Sequence, residues 1–500
     1  MSTNTLSLTV CLSLLASTTL SAMSTDKVKL KGNMQLTYVE KPQSANSFDE
    51  LFEKGIIYGR LRTQYLDFRH ANEVYGKTAN NSAWAVGGSL TYSTAYLNGF
   101  GATLGFYSSH TIDTDNIHYN LKGKPYDAGK VPRQVYDKYS GSGDALDVLA
   151  VSYIEYKFSK TNIKYGRQIF DSTIVHSNDV FMIPNTMEGV SLETRDIAKT
   201  RLRVGYFSSQ KLMGHQNFHS IIATGDASNN DDSGSHKGLS VKNLNTYGLE
   251  TDPSMAILSA ENKSIKGLKL NFDAIYIDNF FYQIIPELNY RIALNSKWSI
   301  SSGFRYFYQK DDGAGAVGGA SISGKFALDK NPTIKQASSY NNIDSVDGSA
   351  WMARVVLSNG FGNVSFGYSS IDDKADLISP WRGFPTMGYS RDLTETNWYA
   401  NTDSWMIRAS YDLSKAGLVD GLFVQIDYAS VDFDDKKVYA GTIAKTDSNI
   451  FHMDFIKTIN SIEGLEVRLR LTWVDSDPSF VTKKDTKSYT DMRFEIDYLF

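Results

Sequence analysis

Apolar and polar residues alternate in short segments along the chain, and this alternation predicts β-strands with one apolar and one polar face. The last segment shows the pattern, with Phe494, Ile496, Tyr498 and Phe500 on one face and Arg493, Glu495 and Asp497 on the other. Successive side chains of a strand point to opposite sides, so the two faces meet different surroundings. The repeated pattern predicts an all-β protein.

About 18 such segments are present, and each has roughly the 9–11 residues that cross a bilayer as a tilted strand. Fourteen begin near residues 55, 83, 99, 145, 161, 188, 200, 254, 266, 350, 362, 403, 419 and 449, and four cover 280–294, 298–308, 464–474 and the C-terminus. Short turns such as Asn98-Gly99 alternate with long polar links such as 210–252. This alternation favours a transmembrane antiparallel β-barrel, with short periplasmic turns and long extracellular loops, over a soluble all-β protein.

The composition of the 500 residues narrows the function classes. Aromatic residues make up 13% of the chain, and barrels use such residues at both membrane interfaces. The net charge of −4 gives no basic patch large enough for nucleic acid. Cys11 is the only cysteine, and no Gly-x-Ser-x-Gly element is present. We therefore expect no enzyme activity, no cofactor and no metal ion.

The N-terminus resembles a secretory signal peptide, although its first seven residues carry no lysine or arginine. An apolar stretch is followed by the small residues Ser21-Ala22, which suit cleavage. We predict a signal peptide over residues 1–22, a periplasmic N-terminal segment over residues 23–53 and a transmembrane barrel over residues 54–500. A disordered end or a short internal helix is the alternative for the first part.

Phe500 ends an alternating strand, and this arrangement resembles the signal that the barrel-assembly machinery reads. Together with export, it predicts a location in the outer membrane of a Gram-negative bacterium. The expected partners are then the lipid bilayer, lipopolysaccharide and the assembly machinery, with further copies of the chain as a possible homo-oligomer.

The stretch from residue 166 to residue 192 reads GRQIFDSTIVHSNDVFMIPNTMEGVSL and resembles the OprD-type outer membrane porins. Asn178, Asp179 and Pro184 follow the order found in the inward-folded third loop of that family. Residues 48–68 and 411–422 also resemble the family. The resemblance implies an 18-stranded barrel whose third loop folds into the pore, with passive, substrate-selective diffusion. The chain departs from the family at Phe181, where an arginine is expected.

The link over residues 171–186 is the candidate constriction loop, because loops of this length without secondary structure are often functional. An ordinary surface loop is the alternative. The candidate constriction residues are Asp171, His176, Asn178, Asp179, Phe181, Met182 and Pro184.

Arginines on the polar faces are the candidate pore-lining and solute-guiding residues: Arg60, Arg62, Arg201, Arg203, Arg305, Arg354, Arg408, Arg468, Arg470 and Arg493. Closing a barrel puts the first strand beside the last, which places five of them on one wall. A guanidinium is always charged and binds carboxylates with two parallel hydrogen bonds. The alternative is a structural network in which each arginine pairs with a nearby acid and fixes strand register; the two roles are compatible.

These observations predict an outer-membrane porin for passive, partly selective diffusion of small hydrophilic solutes, with carboxylate-bearing nutrients favoured. The alternative is a structural or adhesin barrel with a blocked lumen.

Overall fold

The computed structural model describes residues 28–31, 34–72, 80–115, 145–225, 230, 232–324, 340–392, 395–434, 436–439, 442–443, 445–478 and 487–500. The predicted signal peptide, residues 1–22, lies outside the described residues. Among the residues that are described, no helix is long and apolar enough to cross a membrane.

Eighteen antiparallel strands close into one barrel, which confirms the predicted fold class and strand number. We number them β1 Ile56–His70, β2 Asn81–Ser93, β3 Phe100–Asp115, β4 Ala145–Phe158, β5 Thr161–Gln168, β6 Thr186–Thr194, β7 Thr200–Lys211, β8 Met255–Asn262, β9 Leu268–Ile277, β10 Phe281–Ala293, β11 Ser299–Asp311, β12 Gly348–Ser358, β13 Gly362–Ile371, β14 Asp403–Asp412, β15 Leu422–Asp432, β16 Ser448–Thr458, β17 Leu465–Ser476 and β18 Tyr489–Leu499. Every one begins within three residues of a predicted segment or inside it.

Barrel closure is made by β18 and β1, which pair from Tyr489 opposite His70 to Leu499 opposite Arg60. The connections at one end are mostly long, and we call it the long-loop end. The connections at the other, the short-turn end, have nine residues or fewer. The turn from β2 to β3 contains the predicted Asn98-Gly99 pair, and both residues have the positive φ angles (52° and 88°) that tight hairpin turns require.

Short helices and short strands accompany the barrel strands. Within the described residues, the helices are α1 Phe48–Glu53, α2 Val241–Tyr247 and α3 Ala314–Gly318. Short strands cover Val28–Leu30, Leu36–Tyr38, Ser44–Ala45, Tyr96–Leu97, Val438–Tyr439 and Thr442–Ile443.

The apolar face of each alternating strand points to the outside of the barrel, and the polar face points to the inside. On β18, the Phe494 ring is exposed outward, whereas Arg493 and Glu495 are buried in the interior. Phe500 differs from the other apolar residues of this segment, because its side chain is buried beside Gly59. The outward tryptophans are Trp84, Trp298, Trp351, Trp405 and Trp473. They lie near strand ends, as expected for the aromatic girdles at the two membrane interfaces.

Much of the interior is filled by loops that fold inward from the long-loop end. One apolar cluster joins part of the third loop (169–185), the fourth loop (212–254), the sixth loop (312–347) and the seventh loop (372–402) to the inner wall. Trp381 and Trp398 of the seventh loop are its largest members, and both are fully buried. Buried apolar area of this kind stabilises loop packing at about 25 cal/mol per Å².

Candidate functional site

The third loop (residues 169–185) lies inside the barrel and is bonded to several strands of the wall. The backbone N–H of Ile174 donates to the Asp273 carboxylate of β9 at 2.9 Å. The Lys211 ammonium of β7 donates to the carbonyl of Pro184 at 2.6 Å. All seven candidate constriction residues are on this inward loop, and Asp179, Phe181 and Met182 are among those whose side chains are buried.

Two facing glycines allow the strands beside the third loop to approach closely. Gly166 of β5 lies opposite Gly189 of β6, and their φ angles are 125° and 153°. A Cβ at either position would lie 2.3 or 2.2 Å from a backbone carbonyl oxygen of the next strand. Other residues rarely adopt such angles, so these glycines fix the backbone from which the loop turns inward.

Asp179 is clamped between two arginines of β1. Its carboxylate pairs with the Arg60 guanidinium and lies 3.3 Å from Nη1 of Arg62. Arg62 also pairs with Glu495 of β18 at 2.5 Å, and Arg60 lies 3.6 Å from Asp497. We call these five residues the clamp; none of their side chains is more than 3% exposed. Because an isolated buried charge is very costly, the clamp fixes the third loop against the β18–β1 wall.

Phe181 occupies the place where the family resemblance implies an arginine. Its ring lies 5.0 Å from the guanidinium carbon of Arg493, which itself pairs with Asp491 at 2.7 Å. The carbonyl of Phe181 accepts a hydrogen bond from Arg62. The positive charge beside position 181 therefore comes from Arg493 on the barrel wall. The face of the Phe181 ring contacts this guanidinium in a cation–π interaction.

Part of the N-terminal segment, residues 34 and 35, contacts the clamp and the third loop. The carbonyl of Met34 accepts a hydrogen bond from Arg60 at 2.9 Å. The sulfur of the Met34 side chain contacts Arg468. The side-chain amide of Gln35 donates to the Ser177 carbonyl of the third loop at 2.6 Å. Residues 34 and 35 therefore cover the clamp on one side.

Five of the ten candidate arginines lie together on the adjacent strands β17, β18 and β1: Arg60, Arg62, Arg468, Arg470 and Arg493. Arg468 and Arg470 flank Asp454 of β16 at 3.6 and 3.3 Å. Arg408 pairs with Asp427 on the neighbouring strands β14 and β15. Each of these arginines has an acid partner, as the structural interpretation of the sequence expected.

The remaining four candidates lie on the other wall. Arg201 pairs with Glu193 at 2.5 Å, and Arg203 donates to the hydroxyl of Ser259 at 3.1 Å. Arg305 pairs with Glu287 at 2.5 Å. Arg354 donates to the carbonyl of Gly388 at 2.7 Å, which ties the seventh loop to the wall.

The third and seventh loops also touch each other across the lumen. The His176 ring stacks on Phe384 of the seventh loop, with centroids 6.4 Å apart. Burial lowers the pKa of the His176 imidazole, which is therefore neutral at pH 7. Together the two loops narrow the interior from opposite sides.

A cavity of about 780 Å³ lies between the third loop and the short-turn end. Its basic lining residues are Lys31, Lys41, Lys157, Lys160, Lys164, Arg195, Arg201 and Arg203, whereas its acidic lining residues are Asp171 and Glu193. Such an excess of cations attracts anionic solutes. The candidate set from the sequence included the arginines at 201 and 203 but missed Arg195 and the lysines. The sequence carried a signal for these lysines, because Lys157 and Lys164 occupy polar positions in strands whose residues alternate between apolar and polar.

A family model described as outer membrane porin, OprD family, matches residues 52–500. None of the curated proteins compared matches the chain by sequence. Among solved structures, Pseudomonas aeruginosa OccK9 (OpdG) is 16% identical, with a TM-score of 0.68 over 90% of this chain and 99% of that chain. Acinetobacter baumannii OccAB1 is 15% identical, with a TM-score of 0.67 over 92% and 99%. Pseudomonas aeruginosa OpdK, solved with vanillate, is 13% identical, with a TM-score of 0.65 over 90% and 99%.

Proposed function

Since the chain belongs to the OprD family of outer membrane porins, we propose that its pore passes small hydrophilic solutes that carry a carboxylate. Membership of this family makes the chain a channel of the bacterial outer membrane and not an enzyme. The short turns then face the periplasm and the long loops face the outside. The carboxylate preference is our proposal.

The basic cavity at the short-turn end supports this proposal. Eight lysines and arginines line it, against two acids. Several of these cations are ammonium groups on flexible stems, so the cavity offers charge without a rigid binding geometry. A porin needs this combination, because a solute must be attracted and also released. OpdK, a structural neighbour, was solved with vanillate, an aromatic carboxylate.

Four of the ten candidate arginines divide between two roles in this proposal. The arginines at positions 60 and 62 are fully buried and hold the third loop, so we assign them to the structure of the constriction. Arg201 and Arg203 line the cavity, so we assign them to solute attraction. The constriction itself is proposed to be the third loop.

The test compares two solutes of the same shape, benzoate and benzamide, in liposome-swelling and planar-bilayer measurements. Wild-type protein should pass benzoate faster and should prefer anions in a salt gradient. The double variant Lys157→Gln/Lys160→Gln should lose most of the preference. Lys266→Gln, in a short turn that does not line the cavity, is the matched control and should behave as wild type. Equal flux of the two solutes through an open pore would overturn the carboxylate preference.

A barrel with a blocked lumen is the second candidate, and one observation favours it. Residues 34 and 35 and the third loop together cover Arg60 and Arg62 completely. If that packing persists in the membrane, the folded protein inserts but conducts nothing. A folded, inserted protein that conducts nothing would favour the structural or adhesin alternative over the open pore.

We propose that residues 1–22 are removed on export and that the C-terminal strand is read by the assembly machinery. We also propose that lipopolysaccharide surrounds the outer rim and that copies of the chain can associate.

A further inference from the structure

We propose that Asp392, Asp427 and His452 bind a divalent first-row transition-metal ion, which fixes the seventh loop to the barrel wall. One ligand atom from each residue lies within 4.8 Å of the other two. The side chains are 2%, 1% and 3% exposed, respectively. They come from three separate elements: the seventh loop, β15 and β16.

The backbone register brings the two wall residues together. Asp427 lies directly opposite His452, and His452 lies directly opposite Thr472 of β17. Nδ1 of the His452 ring is 2.8 Å from the Thr472 hydroxyl oxygen. When Nδ1–H donates to that oxygen, the lone pair of Nε2 is free for a metal. Metal-binding histidines are commonly oriented by such a hydrogen bond from the other ring nitrogen.

Asp392 provides an independent reason to expect a ligand. Both of its carboxylate oxygens are buried, and neither accepts a hydrogen bond from any described residue. A buried carboxylate without hydrogen bonds is strongly unfavourable unless a cation or a proton compensates it. The carboxylate lies beside the other two potential ligands, so a metal ion satisfies all three groups at once.

The nearby cations set the charge of the site. Arg408 pairs with both oxygens of Asp427, and the Gln425 amide donates to Oδ2 at 3.0 Å, which leaves a lone pair of Oδ1 for a metal. Arg391, next to Asp392, lies over the rings of Phe384 and Trp398 at 4.1 and 5.7 Å. Two arginines therefore oppose the charge of an incoming ion, and we expect moderate affinity.

The ligand types select the class of metal. One imidazole and two carboxylates suit zinc, cobalt, nickel or manganese, with open positions for water. Calcium prefers six to eight oxygen ligands, and magnesium prefers oxygens in a strict octahedron. Because Asp392 is on a loop and the other two ligands are on the wall, binding restricts how far the seventh loop can leave the lumen.

The test uses the full-length refolded protein with Co²⁺ as a spectroscopic probe and Zn²⁺ in equilibrium dialysis. Wild-type protein should bind one ion per chain and give a visible cobalt spectrum. Asp392→Asn and His452→Gln should each weaken binding by at least about tenfold. Asp373→Asn, on the same loop but paired with Lys437, is the control and should bind as wild type.

Addition of Zn²⁺ should also change the open-channel current noise of the wild type and leave that of Asp392→Asn unchanged. Correct folding is checked by heat-modified migration on gels, and His452→Gln tests the site if Asp392→Asn does not fold. Absence of stoichiometric binding by the wild type would overturn the proposal. Binding that survives in both ligand variants would also overturn it, since the ion would then occupy another place, such as the His215–His219 pair.

Discussion

The two halves of the lumen are filled by loops that are held in different ways. Along β17, β18 and β1, the third loop is held by the buried charges of the clamp in addition to apolar contacts of its residues 180–183. Along β7 to β13, the fourth, sixth and seventh loops pack through an apolar cluster that contains Trp381 and Trp398. Charge pairs depend on direction and distance, whereas apolar packing depends mainly on the area removed from water.

This difference explains why the third loop, and not the others, carries a recognisable motif. A clamp needs an acid at one position of the loop, and Asp179 supplies it. An apolar cluster accepts many combinations of similar volume, so it leaves a weaker trace in the sequence. Loss of a charge should therefore release the half that contains the clamp, and loss of packing should release the half that contains the apolar cluster.

The largest expected effect comes from Asp179→Asn. Removing one partner of a buried charge network costs about 3–5 kcal/mol, because Arg60 and Arg62 lose a shared counterion. The third loop should leave the wall, and single-channel conductance should rise several-fold. Asp278→Asn is the control, because this exposed acid lies in the turn between β9 and β10 and lines neither the third loop nor the cavity. Unchanged conductance in Asp179→Asn would mean that the third loop does not limit the pore.

An intermediate effect is expected in the apolar half when the pH falls. Burial lowers the pKa of His236 in the fourth loop from 6.5 to about 4. Its Nε2–H donates to the carbonyl of Gly319 at 2.7 Å, and its Nδ1 accepts from Gly238 N–H at 3.1 Å. A second ring proton would destroy the latter bond. The packed state therefore has its full stability above about pH 6.5 and loses about 3 kcal/mol as the pH falls towards 4.

Limited proteolysis of the loops between pH 7 and pH 4 measures this loss. Cleavage in the fourth and sixth loops should increase towards pH 4. His236→Gln removes the titrating group and should give a flat profile. A pH dependence that is the same in the variant and the wild type would assign the effect to another group.

The smallest expected effect comes from Phe181→Leu. Leucine keeps most of the buried apolar area but removes the aromatic face beside Arg493, a contact worth about 0.5–2 kcal/mol. Channel recordings should show slightly more open-state noise at the same mean conductance. Phe181→Tyr retains the ring and serves as the control. If the two variants behaved alike, the contact with Arg493 would have no role in holding the loop.

The regular part of the fold could be predicted because its rule is local. Alternate residues of a strand face opposite sides, so the position of a residue along the strand gives its side. The lengths of the loops follow from where the alternation of apolar and polar residues stops. Residues 493–495 alternate between charged and apolar, which was enough to place Arg493 and Glu495 inside the barrel and Phe494 outside. The same rule brought the arginines of β17, β18 and β1 onto one wall, because closure joins the chain's ends.

The filling of the barrel was decided only by the tertiary structure, because loop positions depend on contacts between distant residues. Nothing near Met34 or Gln35 in the sequence indicates contact with the clamp or the third loop. Asp392 and His452 are 60 residues apart, and only the register of β15 with β16 and the fold of the seventh loop bring them together. The sequence by itself determined the barrel, its two faces and its family; the tertiary structure decided what occupies the lumen.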